Sequence, residues 1–248
     1  MKKIQFYLTP SEGKRLIGKA MAALPDIRKA IEENTVLVVA GTTNAPVAYE
    51  LLKLIGETEG FSHLNYYRGM TVPAGTSLKG EFMGDVVIQK GRWLRGKTIF
   101  DVADDMKNGD IIIKGANAVN VQDREAGVLL GHPKAGTALP ILSAVHGRRT
   151  KLYIPVGLEK RVDAKISELT RLVNDGESEG LRMLPRSGEI ITETEAFQIL
   201  CGVKVSMIAS GGVLGAEGGI YFMAEGTEEE LENCRNLVRG VKEDKSFW

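Results

Sequence analysis

Three carboxylates lie within five residues of the chain, at Asp101, Asp104 and Asp105. Clustered carboxylates repel one another, and such repulsion can raise a pKa enough to make a proton shuttle. Lys114 follows Asp101 by 13 residues, directly after the apolar run 111–113. A lysine at the end of a buried strand can stabilise negative charge on a substrate oxygen. These residues indicate proton-transfer chemistry on a small substrate; the alternative is a solvated acidic turn that caps a helix.

A second group of small and polar residues follows another predicted strand. The continuous β-branched run 35–40 is typical of a strand that is buried on both faces. A predicted helix with Val47 and Leu51 on one side comes after it. The free N–H groups of a helix N-terminus can bind a phosphate, and the alternative is an ordinary capped turn. The candidate phosphate-binding residues are Gly41, Thr42, Thr43 and Asn44.

Buried strands and helices alternate along the first two thirds of the chain. The alternation predicts an α/β domain with a mostly parallel, Rossmann-like sheet and helices on both faces. Ligands of such sheets bind at the carboxyl ends of the strands. The further predicted strands are 86–88, 98–100, 110–113 and 151–156, with a helix at 136–146. The loops predicted at strand ends are 41–44, 101–105, 114–117 and 157–160.

The pattern changes after about residue 165. A polar, glycine-rich loop at 174–180 predicts a boundary. We therefore expect an α/β domain over residues 1–165 and a smaller C-terminal α+β domain over 166–248. Glycines at 211–219 separate two alternating strands, which favours a flexible hairpin over a phosphate loop.

Composition excludes several classes of protein. The 248 residues carry 32 Lys+Arg and 32 Asp+Glu, and a zero net charge disfavours a dedicated nucleic-acid or anionic-membrane binder. The chain has no apolar run long enough for a membrane span or a secretory leader, so we expect a cytoplasmic protein. Cys201 and Cys234 suit neither a disulfide framework nor a zinc site, and we expect no metal and no cofactor.

The order of these motifs resembles that of ribose-5-phosphate isomerase A. The Asp-x-Ala-Asp-Asp segment 101–105 and the Lys-Gly pair at 114–115 match the family in spacing. Arg124-Glu125-Ala126 is similar to a third family motif. Residues 40–45 resemble its phosphate loop, and 153–160 its last strand end. The resemblance covers about residues 36–160.

The resemblance implies an aldose–ketose isomerase that acts on a small phosphorylated sugar. Glu125 would be the general base, with Asp101 or Asp104 in reserve, and the two aspartates would hold the sugar hydroxyls. Lys114 would stabilise the enediolate, and Lys160 would complete the phosphate site. Gly115 and Asn117 would help to bind the substrate, and family members often form homo-oligomers.

Departures from the family pattern leave two alternatives open. Val102 replaces a family glycine, and Glu125 lies further from Lys114 than in the isomerase. The segment that begins at 136–140 looks more like methylthioribose-1-phosphate isomerase and the translation initiation factor 2B subunits. The replaced glycine and the shifted Glu125 favour a non-catalytic binding or regulatory protein that has kept the ligand pocket, as in the initiation-factor relatives. Glu159 could instead be the strand-end nucleophile of a coenzyme A transferase. Residues 70–77 and 211–219 are expected to contribute to substrate choice.

Overall fold

The computed structural model of the protein describes residues 1–68 and 82–244. The strands are β1 (Lys2–Leu8), β2 (Thr35–Val38), β3 (Val86–Gln89), β4 (Arg92–Trp93), β5 (Ile111–Ile113), β6 (Ala118–Asn120), β7 (Glu125–Leu130), β8 (Lys151–Pro155), β9 (Arg182–Arg186), β10 (Glu189–Ile191), β11 (Lys204–Ser210) and β12 (Ile220–Gly226). The helices are α1 (Pro10–Ala23), α2 (Pro25–Glu33), α3 (Asn44–Leu54), α4 (Ile99–Val102), α5 (Ala138–Leu142), α6 (Ile166–Val173), α7 (Glu193–Cys201) and α8 (Glu228–Glu243). Within these residues, no helix has the length and apolar character needed to cross a bilayer.

The central sheet has the strand order β10-β8-β5-β2-β3-β4 in the described part of the chain. Strands β10, β8, β5 and β2 run parallel, whereas β3 and β4 are antiparallel to their neighbours. The expectation of an α/β fold is confirmed, with a sheet that is mixed. The carboxyl ends of the parallel strands lie on the same side of the sheet, and the candidate site is located there.

Helices cover both faces of the central sheet. Val36 and Val38 pack with Leu16 of α1 and Leu51 of α3 in one buried cluster. The alternate residue Leu37 packs with apolar residues of α4 and α5 in a second cluster. Every residue of β2 is buried, as the continuous β-branched run predicts.

Two smaller antiparallel sheets accompany the central one. Strands β1, β12 and β11 form one, and β6, β7 and β9 form the other. The glycines at 211–219 connect β11 to β12, so the predicted hairpin is confirmed. The sheets do not follow the expected division at residue 165, because β1 pairs with β12 and β10 belongs to the central sheet.

The strand predicted at 98–100 is wrong, because this segment begins α4. A local capping arrangement explains the helix: Oδ2 of Asp101 accepts hydrogen bonds from the backbone N and from Oγ1 of Thr98, each at 2.8 Å. This capping box stabilises a helix start and outweighs the β-forming side chains. The segment 101–105 therefore does not lie at the end of a strand.

Candidate functional site

A cavity of about 1350 Å³ lies at the carboxyl ends of β2, β5 and β8. Its floor is formed by the predicted strand-end loops, and its other wall comes from β7 and the loop that leads to α5. The described lining residues are Ala40, Gly41, Thr42, Thr43, Asn44, Tyr67, Arg68, Phe100, Asp104, Lys114, Gly115, Ala116, Asn117, Val128, Leu129, Leu130, Gly131, His132, Pro133, Lys134, Ala135, Gly136, Thr137, Leu139, Pro140, Ser143 and Lys160.

The loop between β2 and α3 is fixed by its own hydrogen bonds. The carbonyl of Gly41 accepts from the backbone N of Asn44 and Ala45, at 3.0 and 2.9 Å. Nδ2 of the buried Asn44 donates to the carbonyl of Val39 at 2.7 Å and to that of Ile113 at 3.4 Å. Asn44 thereby joins the ends of β2 and β5. Its Oδ1 has no hydrogen-bond partner among the described residues.

Lys114 emerges from the end of β5 into a cationic part of the cavity wall. Burial, followed by the charge of Arg186, lowers the pKa of Lys114 to about 8; Arg68 and Lys160 also lower it, and Asp85 raises it. Desolvation and like charges both disfavour the ammonium form. Such a lysine is mostly protonated at pH 7, and an anion that binds beside it would raise its pKa.

Asp85 is the buried counter-charge of this wall, with 1% of its surface exposed. Its carboxylate accepts hydrogen bonds from Nη2 of Arg68 at 2.9 and 3.1 Å. It also accepts from the backbone N of Ala40 at 2.9 Å and of Ile99 at 2.8 Å. These contacts satisfy Asp85 and hold the end of β2 and the start of α4 in place. Asp85 therefore anchors the wall.

Lys160 approaches the 41–44 loop from the end of β8. Its Nζ donates to Oγ1 of Thr43 at 2.9 Å, and Nζ of Lys14 on α1 donates to Oγ1 of Thr42 at 3.2 Å. We call residues 41–44 together with Lys160 the phosphate cradle. The cradle combines two hydroxyls with the ammonium group of Lys160, and the ammonium group of Lys14 lies beside it; hydroxyl and ammonium donors are the chemistry that binds phosphate.

Two buried glutamates lie behind the phosphate cradle. Glu159 has 15% of its side chain exposed, and its Oε1 lies 3.9 Å from Nζ of Lys160, so the two form a largely buried ion pair. Glu193, at the start of α7, is 1% exposed and accepts from the backbone N of Leu158 at 2.9 Å. Burial and then the charge of Glu159 raise the pKa of Glu193 to about 7. A methyl group at Gly157 would overlap Oε2 of Glu159 in its present position, so a larger residue there would displace the Glu159 carboxylate.

The structure brings most of the predicted binding residues together at the cavity. Asn117 is exposed at the rim, where its Oδ1 accepts from the backbone N of Leu129 at 3.0 Å. The predicted site residues that line the cavity are Gly41, Thr42, Thr43, Asn44, Asp104, Lys114, Gly115, Asn117 and Lys160. Residues 70–77, expected to contribute to substrate choice, lie outside the described residues.

Two predicted catalytic carboxylates do not line the cavity. Glu125, expected to be the general base, accepts a hydrogen bond from the backbone N of Ile166 at 3.0 Å and so caps α6. Asp101 is committed to Thr98 at the start of α4 and lies 3.7 Å from Nζ of Lys97. Each is a helix-capping residue in this fold. Neither side chain lies among the described lining residues.

Asp104 is the one carboxylate among the described lining residues. Its side chain is 96% exposed and lies 3.7 Å from Nη2 of Arg148. His132, also at the cavity, is exposed, and its Nδ1 accepts from the backbone N of Lys134 at 3.1 Å. These two side chains are open to solvent, in contrast to Lys114.

Sequence reasoning missed several charged residues of the site and its surroundings. Arg68, Asp85, Arg186 and Glu193 are separated by long stretches of chain from the motifs that they approach. One usable signal was the position of Glu193, two residues after Ile191 ends β10, because the ends of buried parallel strands deliver side chains to the site.

Comparison of the chain with family models, with curated proteins and with solved structures gives no match. In the described residues, no group of three or more His, Cys, Asp or Glu side chains is arranged to hold a metal ion.

Proposed function

We propose that the cavity binds a small phosphorylated metabolite and that the protein isomerises a sugar phosphate. The observation that carries this proposal is the charge of the described lining: four cations, Arg68, Lys114, Lys134 and Lys160, against the single carboxylate of Asp104. A cationic cavity at the ends of parallel strands favours an anionic metabolite. A Rossmann-like sheet with a smaller C-terminal α+β domain belongs to the same proposal.

The phosphate would bind in the phosphate cradle. The hydroxyls of Thr42 and Thr43 and the ammonium of Lys160 donate to phosphate oxygens there. Lys114, on the neighbouring strand, would then face the carbonyl end of the open-chain sugar. Its charge would stabilise the oxygen that becomes negative in the enediolate, which is the step with the largest electrostatic demand.

The proton transfer requires a base on the same side of the sugar. Asp104 takes this role in the proposal, because it lines the cavity whereas Glu125 caps α6. Its carboxylate would remove the proton alpha to the carbonyl and return it to the neighbouring carbon. The bond changes balance without any further reactant: one C–H bond breaks and one forms, a proton passes from the neighbouring hydroxyl to the former carbonyl oxygen, and the carbonyl moves by one carbon.

Melting of the purified protein with a ligand panel tests the binding part. The panel is ribose 5-phosphate, ribulose 5-phosphate, inorganic phosphate and unphosphorylated ribose. A ligand at 100 times its dissociation constant stabilises the folded state by about 2.7 kcal/mol, which shifts the melting temperature measurably. We expect shifts with the sugar phosphates and none with ribose. Equal shifts with inorganic phosphate alone would show that the sugar makes no contact.

Turnover of ribose 5-phosphate to ribulose 5-phosphate tests the chemical part. We expect Asp104→Asn to bind as the wild type does and to lose most of the turnover, because its proton-accepting oxygen is gone. Asp105→Asn, a neighbouring exposed carboxylate outside the described lining, is the matched control and should leave turnover unchanged.

A non-catalytic binding protein is the second candidate. The placement of Glu125 favours it, since the expected base is committed to the backbone of α6. Binding of a sugar phosphate without turnover, equal in the wild type and Asp104→Asn, would establish this candidate. Acyl transfer through Glu159 is less favoured, because its carboxylate lies behind Lys160 and outside the described lining.

A further inference from the structure

Asn44 carries a hydrogen-bond acceptor without a partner at the floor of the cavity. The residue is 1% exposed and belongs to the described cavity lining. Its Nδ2 donates to the carbonyls of Val39 and Ile113, which fixes the orientation of the amide and turns Oδ1 away from these two carbonyls. Oδ1 has no hydrogen-bond partner in the described chain. A buried acceptor of this kind is costly unless something donates to it.

Gly115 leaves the space in front of this acceptor open. A methyl group at Gly115 would lie 3.5 Å from Oδ1 of Asn44 and 3.5 Å from the carbonyl oxygen of Pro155. No other described atom outside the neighbouring residues lies nearer to that position. Gly115 also lines the cavity. A ligand group that approaches Gly115 therefore meets two oxygen acceptors, which we call the acceptor pair.

The acceptor pair is opposite in hydrogen-bonding character to the phosphate cradle. In the cradle, Lys160 and the hydroxyls of Thr42 and Thr43 supply donors. The side chain of Asn44 has no donor left for a ligand, since Nδ2 is bonded to two carbonyls, and its backbone N donates to the carbonyl of Gly41 at 3.0 Å. Two oxygens with partial negative charge would repel a phosphate. The acceptor pair thus needs a ligand group that donates.

We propose that the acceptor pair binds a hydroxyl group at C2 or C3 of the sugar phosphate, and that Asn44 determines specificity for sugars that carry it. The inference rests on the proposed function, which places the phosphate in the cradle and the carbonyl at Lys114. Because Gly115 follows Lys114 in the chain, the hydroxyl beside it is one of the two nearest to the reacting carbonyl. A hydroxyl fits better than an ammonium group, since the four cations of the cavity lining would repel a further one.

Calorimetric binding to the full chain tests the proposal with three probes. They are ribose 5-phosphate, 2-deoxyribose 5-phosphate and 3-deoxyribose 5-phosphate, so that each deoxy sugar lacks one of the two hydroxyls. We expect one deoxy sugar to bind at least about tenfold more weakly than ribose 5-phosphate, because it leaves the buried Oδ1 of Asn44 unpaired. The probe that loses affinity identifies the hydroxyl. Equal affinities for all three would overturn the proposal.

Gly115→Ala places a methyl group in front of the acceptor pair and removes no side-chain hydrogen bond. The backbone of Gly115 lies outside the left-handed region, so alanine is tolerated and the variant should melt no lower than the wild type. We expect at least about tenfold weaker binding of ribose 5-phosphate and unchanged binding of inorganic phosphate, which needs only the cradle. Gly176→Ala, at an exposed position with open space around it, is the matched control and should change neither affinity. Unchanged binding of ribose 5-phosphate to Gly115→Ala would contradict the proposal.

Gly115→Ser tests the acceptor without any ligand. Its hydroxyl, one bond beyond the methyl position, can donate to Oδ1 of Asn44, whereas alanine cannot. We expect the serine variant to melt at a higher temperature than the alanine variant and to bind ribose 5-phosphate as weakly. A serine variant that melts no higher than the alanine variant would show that Oδ1 needs no donor, and the proposal would fail.

The outcomes also distinguish this inference from the proposed function. Turnover of ribose 5-phosphate with unchanged affinity in Gly115→Ala would leave the isomerase standing and remove the role of the acceptor pair. Binding that depends on the hydroxyl and on Gly115, but without turnover, would do the reverse and favour the non-catalytic candidate. Failure of all three sugar phosphates to bind would overturn both.

Discussion

The loop 41–44 and the acidic segment 101–105 both carry polar side chains that could bind or act on a substrate, but the two segments have different positions in the fold. The loop follows a strand that is buried along its whole length, and Thr43 and Asn44 are themselves 2% and 1% exposed. The acidic segment follows no strand. It belongs to the start of α4 and the turn after it, where Asp101, Asp104 and Asp105 are exposed.

The difference lies in what each segment is bonded to. At the loop, Asn44 bonds to two strand-end carbonyls, and Lys160 reaches Thr43 from a third strand. At the acidic segment, Asp101 bonds to Thr98 only three residues away. Long-range contacts converge where parallel strands end, whereas a capping box is satisfied locally. A reactive residue type is thus informative only together with the element that delivers it.

The largest effect is expected at a strand end, from Lys114→Met. We expect turnover of ribose 5-phosphate to fall at least about 100-fold, since a preorganised charge of this kind supplies about 3 kcal/mol to the transition state. The free energy of unfolding, by contrast, should rise in this variant. The pKa of Lys114 is about 8 in the folded protein, below its ordinary 10.5, so its charge destabilises the fold below pH 8 and this cost disappears as the pH rises towards 10.5.

Denaturant unfolding at pH 7 measures the stability side of this variant. Lys114→Met should be more stable than the wild type by on the order of 1–3 kcal/mol, the equivalent of the lowered pKa. Lys107→Met, an exposed lysine just after the acidic segment, is the control and should change neither quantity. Full turnover in Lys114→Met would show that Lys114, at the end of β5, takes no part in the reaction, and the contrast with the acidic segment would fail.

The second prediction concerns the buried carboxyl behind the phosphate cradle. The pKa of Glu193 is about 7 in the folded protein against an ordinary 4.5, so the folded state holds a proton that the unfolded chain has released. Stability should therefore fall as the pH rises from about 4.5 to 7, by up to about 3 kcal/mol. Glu193→Gln should remove this fall, with unfolding free energies measured between pH 4 and 8.

Glu195→Gln is a control of opposite sign on the same helix. Burial opposes the charge of Glu195, but hydrogen bonds from Thr192 and Arg124 outweigh it and lower the pKa. Its contribution to stability is present above its ordinary pKa and is lost as the pH falls. The variant should hence be destabilised at neutral pH and match the wild type in acid. Identical pH profiles for the two variants would contradict the contrast between them.

The elements that form the site were predictable wherever the sequence signal is continuous. The apolar runs that become β2, β5 and β8 are unbroken, and each is buried as expected apart from Lys151 at the start of β8. Capping boxes at Thr9 and Thr227, each with a glutamate three residues on, start α1 and α8 and can be read from the local sequence. The loops that follow these strands could be placed at the site for the same reason.

The remaining features depend on contacts that are distant in sequence. Strand β7 forms a sheet with β9, whose sequence contains Pro185 and two arginines and lacks the expected strand pattern. Arg186, whose charge lowers the pKa of Lys114, is held in place by this pairing, opposite Ala126 of β7. The wrong prediction of a strand at 98–100 has a different cause. The apolar residues of this segment fit a strand, but the hydrogen bonds between Thr98 and Asp101 stabilise a helix start instead.

The third prediction tests the capping role of Glu125. Glu125→Gln weakens the hydrogen bond from the backbone N of Ile166 at the start of α6, and should lower the free energy of unfolding by about 1 kcal/mol. Affinity for ribose 5-phosphate should not change, because the side chain lies outside the described lining. Denaturant unfolding and calorimetry give the two values. A loss of turnover without a loss of stability would restore the role of general base.

The smallest effect is expected within the acidic segment itself, from Asp101→Asn. Hydrogen bonds from Thr98 lower the pKa of Asp101, so its contribution to stability is present above the ordinary value of 3.8 and disappears as the pH falls below it. The variant should show a slightly lower melting temperature at pH 7, no difference in strong acid, and unchanged affinity for ribose 5-phosphate. Melting curves at both pH values and calorimetry measure these quantities. Asp105→Asn, an exposed neighbour, should change none of them, and a tenfold loss of affinity in Asp101→Asn would place the acidic segment in the site after all.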